Sequence, residues 1–177
     1  MADLKEEVDA IARGDGAAFR RLVLATSQKL VRLAARITGS IEDGEDVVQE
    51  AYVKAHRALI EGRFDRRSRV DTWLYRIVTN ASIDALRSGA KRPKSVDTLP
   101  EPAWDGLGAA EARVALRELD ALLDGLPHDQ RAALVLKGVE GLSSSEIAEI
   151  MNTTEGAVEQ RLVRARASLQ EWGRTHE

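Results

Sequence analysis

The sequence specifies an all-α protein made of two small helical domains joined by a flexible linker, and three features carry that reading. Ala, Leu, Arg and Glu dominate, aromatics are only 4% of residues, and no long β-branched alternation occurs, so helix is favoured almost throughout. Apolar residues recur at helical spacing along most of the chain. Three of the four prolines fall between Ser88 and Ala109, in SGAKRPKSVDTLPEPAWDGLGA, where that periodicity is lost and X-Pro steps disfavour helix. The domains therefore span residues 1–90 and 111–177, with the linker at 91–110.

A short helix is expected near residues 3–13. Three main helices follow, marked by the stripes Phe19, Leu22, Val23, Leu30, Leu33 and Ile37; Val47, Val48, Ala51, Tyr52, Ala55 and Leu59; and Trp73, Leu74, Ile77, Val78, Ala81 and Ala85. Gly62 ends the second of these, and Ser68 or Asp71 caps the third. Beyond the linker, helices are expected over 111–124, 128–139, 144–151 and 154–172, the second opened by Pro127 in its first turn. Ser143 and Glu146 fit a capping box, as do Asn152 and Glu155, and about three residues separate the last two helices. A short helix, a tight turn and a longer helix make a helix-turn-helix candidate, although any helical hairpin carries similar punctuation.

Composition removes several function classes. With 44% hydrophobic and 31% charged residues the chain is globular, and with no Cys it has no disulfide, thiolate metal site or Cys nucleophile. MADLKEEVDA lacks a basic segment followed by an apolar run, and no stretch approaches the ~18 apolar residues of a membrane span, so a cytoplasmic protein without membrane insertion is expected. His56, His128 and His176 are scattered, and neither a Gly-rich phosphate loop nor a nucleophile motif is present, so no enzyme, cofactor or metal is expected. Glu42, Asp43, Glu45 and Asp46 lie on a helix without the spaced oxygen ligands of a calcium loop. Residues 1–95 carry 18 Lys and Arg against 14 Asp and Glu, whereas residues 96–177 carry 8 against 15. The net charge of -3 thus hides a mildly basic half and an acidic one, and the faces on which charges fall must decide about nucleic acid.

Three faces stand out. On the helix around EDGEDVVQEAYVKAHRAL, Asp46, Gln49, Glu50, Val53 and Arg57 project away from the apolar stripe, a patch suited to a basic protein surface. In GRFDRRSRVDTWLYRI, Arg63, Arg66, Arg67 and Arg69 surround Phe64 ahead of Trp73, and cations beside aromatics suit phosphates and unstacked bases, with simple core the other reading of Trp73. Arg76, Asn80, Ile83 and Arg87 continue an outward strip toward Lys91, Arg92 and Lys94. In TTEGAVEQRLVRARASL, Val158, Leu162, Ala165 and Leu169 form a core stripe, opposite Gly156, Glu159, Gln160, Val163, Arg164 and Ala167; such a face fits a major groove, or else simply faces solvent.

These segments resemble the extracytoplasmic-function group of bacterial sigma factors in the sigma-70 family. The resemblance rests on DGEDVVQEAYVKAHRAL, Phe64 and DTWLYRIVTNASIDALRS, then LPHDQRAALVLKGVEGLSSSEIAEIM with GAVEQRLVRARASL, and spans about residues 5–172. It implies a sigma-2 domain, a linker and a sigma-4 domain carrying the helix-turn-helix, acting as the promoter-recognition subunit of RNA polymerase. By the same resemblance Asp46, Gln49, Glu50 and Val53 dock on the polymerase; Phe64, Arg66, Arg67, Ser68, Trp73, Arg76, Asn80 and Arg87 meet minus-10 DNA; and Thr154, Glu155, Glu159, Gln160, Arg161 and Arg164 meet minus-35 DNA. Implied partners are core RNA polymerase (beta-prime clamp and beta flap), promoter DNA and an anti-sigma factor that would hold the chain at the membrane, and the implied regulon answers stress or envelope signals. Where the family commonly has GTVKSRLHRARRAL, this chain has Ala157, Glu159, Gln160, Val163 and Ala167, which removes cations from the reading helix. The alternative is a sigma-like decoy that sequesters an anti-sigma factor without reading promoters.

Overall fold

The computed structural model of the protein describes residues 4–64, 66–88 and 123–175. Seven helices stand among them: α1 (Lys5–Ala12), α2 (Gly16–Thr38), α3 (Ile41–Ile60), α4 (Val70–Arg87), α5 (His128–Gly138), α6 (Ser144–Ile150) and α7 (Glu155–Thr175). The expected linker, and all but the last two residues of the helix expected over 111–124, lie outside the described residues.

Local chemistry sets most boundaries. The Asp15 carboxylate accepts from the N–H groups of Ala17 and Ala18 at the start of α2, and Ser40 accepts from Asp43 N–H at the start of α3. Gly39 ends α2 in the left-handed region, at φ 83°, which its missing Cβ permits. One expected cap differs: neither Ser68 nor Asp71 caps α4, whose N-cap is Arg69 with no side-chain cap bond. Asp71 instead accepts from the N–H of Thr72, one residue on. Ahead of α7, Asn152 sits in the turn at φ 49° and Thr154 provides the cap, accepting from Ala157 N–H at 3.2 Å. The Ser143–Glu146 capping box is present as expected.

Helices α2 and α3 run antiparallel, pairing Ala35 with Gly44, Thr26 with Tyr52 and Phe19 with His56. They meet closely at Gly44, where a Cβ would lie 2.7 Å from Ala35 N. Helix α4 packs on both, and α7 closes on α5 and α6. The halves do not stand apart: α5 also packs on α2 and α4, and α6 on α4. One contiguous apolar cluster includes Leu22, Leu33, Leu59 and Leu74 from the first half with Leu136, Ile147, Ile150 and Leu162 from the second.

Candidate polymerase and nucleic-acid interfaces

On α3 the stripe Val47, Val48, Ala51, Tyr52, Ala55 and Leu59 is buried, so the 100° step per residue turns Asp46, Gln49, Glu50 and Val53 to the surface. All four are exposed, and Val53 is 53% exposed amid polar neighbours. Beside them a groove of about 460 Å³ runs between α3 and α4, lined by Asp43, Asp46, Glu50, Lys54 and Asp84 among others. Four carboxylates against one ammonium make it an acidic groove.

The α3–α4 loop is built differently from its sequence-based reading. Phe64 and Trp73 are buried against each other, ring centroids 4.8 Å apart, and form the floor of the loop. Above that floor Arg66 (φ 58°), Arg67 and Ser68 reach the surface, with Arg66 paired to Asp9 of α1 and Arg69 to Asp71 at 3.1 Å. Arg76 and Asn80 are half-buried on α4, while Arg87 is exposed near its end. Ile83, expected on that outward strip, is buried in the shared apolar cluster, since α4 is packed by helices of both halves. Lys91, Arg92 and Lys94 lie outside the described residues.

In the helix-turn-helix, Val158, Leu162 and Ala165 are fully buried and Leu169 half-buried, leaving Glu159, Gln160, Val163 and Arg164 exposed on the opposite face. Thr154 and Glu155 stand exposed at the start of α7. Two reading-face residues have intramolecular partners. The Ser144 hydroxyl donates to the Glu159 carboxylate, joining α6 to α7. Arg161, half-buried, donates to Thr153 Oγ1 at 3.2 Å and lies 3.6 Å from Asp129.

Sequence reasoning missed four polar residues at the junction of the halves. Asp129 lies 2.8 Å from Arg87 as well as beside Arg161. Arg131 is buried and donates two N–H groups to the Arg36 carbonyl at the end of α2, at 2.9 and 2.8 Å. Its guanidinium also pairs with Asp124 at 2.6 Å. Glu140, its side chain 8% exposed, accepts from the Tyr75 hydroxyl at 2.8 Å and lies 3.8 Å from Arg36 and 3.9 Å from Lys29. Burial first, and the Glu140 carboxylate second, push the Tyr75 hydroxyl far above its usual range. No short-range pattern marks Asp129, Arg131 and Glu140 for these contacts, since Arg87, Arg36 and Tyr75 lie 42, 95 and 65 positions from them.

Residues 22–92 match the family model described as Sigma-70 region 2, and residues 116–169 that described as Sigma-70, region 4. The RNA polymerase sigma-H factor of Pseudomonas aeruginosa is 37% identical over 174 residues, covering 92% of this chain and 89% of that one. The ECF RNA polymerase sigma-E factor of Escherichia coli K12 is also 37% identical, over 92% of this chain and 90% of its own.

The chain belongs to the extracytoplasmic-function sigma factors. Among solved structures, this sigma factor is similar to CnrH in complex with the cytosolic domain of CnrY, at 28% identity and a TM-score of 0.72 over the whole of both chains. It is also similar to the sigma factor RpoE of Bartonella quintana in complex with the anti-sigma factor NepR, at 27% identity and a TM-score of 0.66 over 86% of this chain and 94% of that one. As a sigma factor it binds core RNA polymerase and directs it to promoters to initiate transcription. The decoy alternative is not favoured, since both sigma-70 regions match and the curated relatives are sigma factors.

Proposed function

We propose that three surfaces divide the sigma factor's contacts between them. Asp46, Gln49, Glu50 and Val53 dock on the beta-prime clamp; the loop of Arg66, Arg67 and Ser68, floored by Phe64 and Trp73 and continued by Arg76, Asn80 and Arg87, meets minus-10 DNA; and Thr154, Glu155, Glu159, Gln160, Arg161 and Arg164 face minus-35 DNA, with the second domain on the beta flap. The domains assigned are 1–90 and 111–177, with a linker at 91–110. An anti-sigma factor regulates the chain, as in the RpoE–NepR complex, and the regulon answers a stress or envelope signal. All of this is binding and positioning in the cytoplasm, with no catalytic step assigned to any residue; among the described residues no helix is long and apolar enough to cross a membrane.

The observation that carries the reading is the α3 face, where three polar side chains and an exposed valine stand opposite a fully buried stripe, beside an acidic groove. Removing one partner from a charge pair buried at an interface costs about 2–5 kcal/mol. Asp46→Arg and Glu50→Arg should therefore each abolish co-purification with core polymerase while the circular dichroism of the free chain is unchanged. Binding retained by both variants would overturn the docking assignment.

A further inference from the structure

Asp9 of α1 and Arg66 of the α3–α4 loop form an ion pair across 57 positions of sequence, with Arg66 Nη2 donating to a carboxylate oxygen of Asp9. Arg66 stands at φ 58°, a left-handed backbone that a residue with a Cβ adopts only where its surroundings impose it. Two surroundings do. Phe64, two residues before, is buried against Trp73, and Asp9 holds the Arg66 side chain itself. A left-handed turn redirects the chain, so it sets where the next residues, Arg67 and Ser68, project.

Asp9 is suited to hold that turn because its own helix is fixed. Val8 and Ile11 are buried, and α1 packs on α2 and α3. The pair contributes little to folding, since its side chains are 60% and 42% exposed. Its effect is therefore on the loop. A guanidinium has five N–H donors, more than one carboxylate can use, so Arg66 can rest on Asp9 and still offer donors to a phosphate or an unstacked base. A lysine ammonium lacks that fork.

We propose that Asp9 is a positioning residue for minus-10 recognition: it holds Arg66 and the left-handed turn, so that Arg67 and Ser68 meet DNA in one geometry set in advance. The inference rests on the reading of this loop as the minus-10 surface. Positioning of this kind governs discrimination between sequences more than total affinity, because phosphate contacts tolerate a mobile loop and base contacts do not. An acid that merely stood near DNA would act in the opposite sense, its loss raising affinity for every sequence alike.

The test is selection by the holoenzyme from a library randomised over the minus-10 element. Asp9→Asn should lower the preference for the favoured sequence about tenfold, the worth of one charge-assisted hydrogen bond, and leave minus-35 preferences as in the parent. Glu6→Gln, at an exposed position of the same helix, is the matched control for lost charge. Asp9→Glu should restore most of the preference, whereas Arg66→Lys should lose it. In an Arg66→Ala background Asp9→Asn should have no further effect. Preferences of Asp9→Asn equal to those of Glu6→Gln, or an undiminished effect of Asp9→Asn in the Arg66→Ala background, would overturn the proposal. Hydrogen exchange in the free full-length chain tests the tether apart from DNA: the amides of residues 66–68 should exchange faster in Asp9→Asn than in Glu6→Gln, and equal rates would also overturn it. Parent-like minus-10 preferences in both Arg66→Ala and Arg67→Ala would overturn the minus-10 reading of the loop and with it the role proposed for Asp9, while faster exchange in Asp9→Asn would still identify the tether.

Discussion

Glu159 is an acid on an arginine-rich helix proposed to face DNA, and its neighbour explains how it is held. The buried Ser144 hydroxyl donates to one of its carboxylate oxygens, so the side chain is fixed across the α6–α7 turn while the other oxygen remains to accept a hydrogen bond. A carboxylate in that position can accept from a cytosine amino group, and the adjacent Gln160 can pair with adenine. Glu159→Lys is expected to lose about 1–3 kcal/mol of discrimination at one minus-35 base while gaining nonspecific affinity through an added phosphate contact. Ser144→Ala should blunt the same preference without that gain. The measurement is selection from a randomised minus-35 library; identical ranked preferences for the parent and Glu159→Lys would reduce the residue to a clip between two helices. Arg164, exposed on the same face, should on substitution by Ala weaken promoter use more evenly.

The α2–α3 crossing depends on one residue without a side chain. At Gly44 an added Cβ would meet Ala35 N at 2.7 Å and Ala35 Cα at 2.9 Å, both backbone atoms that cannot rotate away. Gly44→Ala should therefore push α3 off α2 and destabilise the fold by about 1–3 kcal/mol, as overpacking does, even though Ala is the better helix former. Urea unfolding would detect this as a lower midpoint at unchanged slope. Stability equal to or above the parent would show that the crossing can relax. Gly44 lies two residues before Asp46, so its effect reaches the polymerase-docking face through helix position and not through charge.

The molecule's two tyrosines report on its packing, Tyr52 between α2 and α3 and Tyr75 against Glu140. The chain has only two, and both have hydroxyls raised above the usual value of 10.0: Tyr52 by burial, partly opposed by its bond to Thr26, and Tyr75 by burial reinforced by Glu140. Groups whose folded pKa is raised contribute stability that is fully present below the unfolded value and lost as pH rises through the folded one. Ultraviolet titration of the native chain should therefore show less tyrosinate at pH 10 than the urea-unfolded chain, which should be about half ionised there. Stability should fall from about pH 10 upward. Glu140→Gln should bring the ionisation of Tyr75 down while leaving Tyr52 in place. Ordinary titration of both residues in the native chain would show that neither hydroxyl is shielded by the packing described.

The helices, their inward stripes and the exposed faces on α3 and α7 were legible in the sequence, because they follow from residues three and four apart on one helix. The Ser143 capping box and the α3 face around Asp46 could be read for the same reason. The fold departed from the local reading at Thr154, which caps in place of Asn152, at Arg69 ahead of α4, and at Phe64 and Ile83, which are buried. Local spacing cannot distinguish an aromatic that meets a base from one that meets another aromatic, since the answer depends on what lies above it. The packing of α5 and α6 against α2 and α4, and the pairing of Arg87 and Arg161 through Asp129, were decided by tertiary structure alone. Asp129 in its own segment is an ordinary acid in a first helical turn, and only the fold brings to it an arginine from 42 positions away.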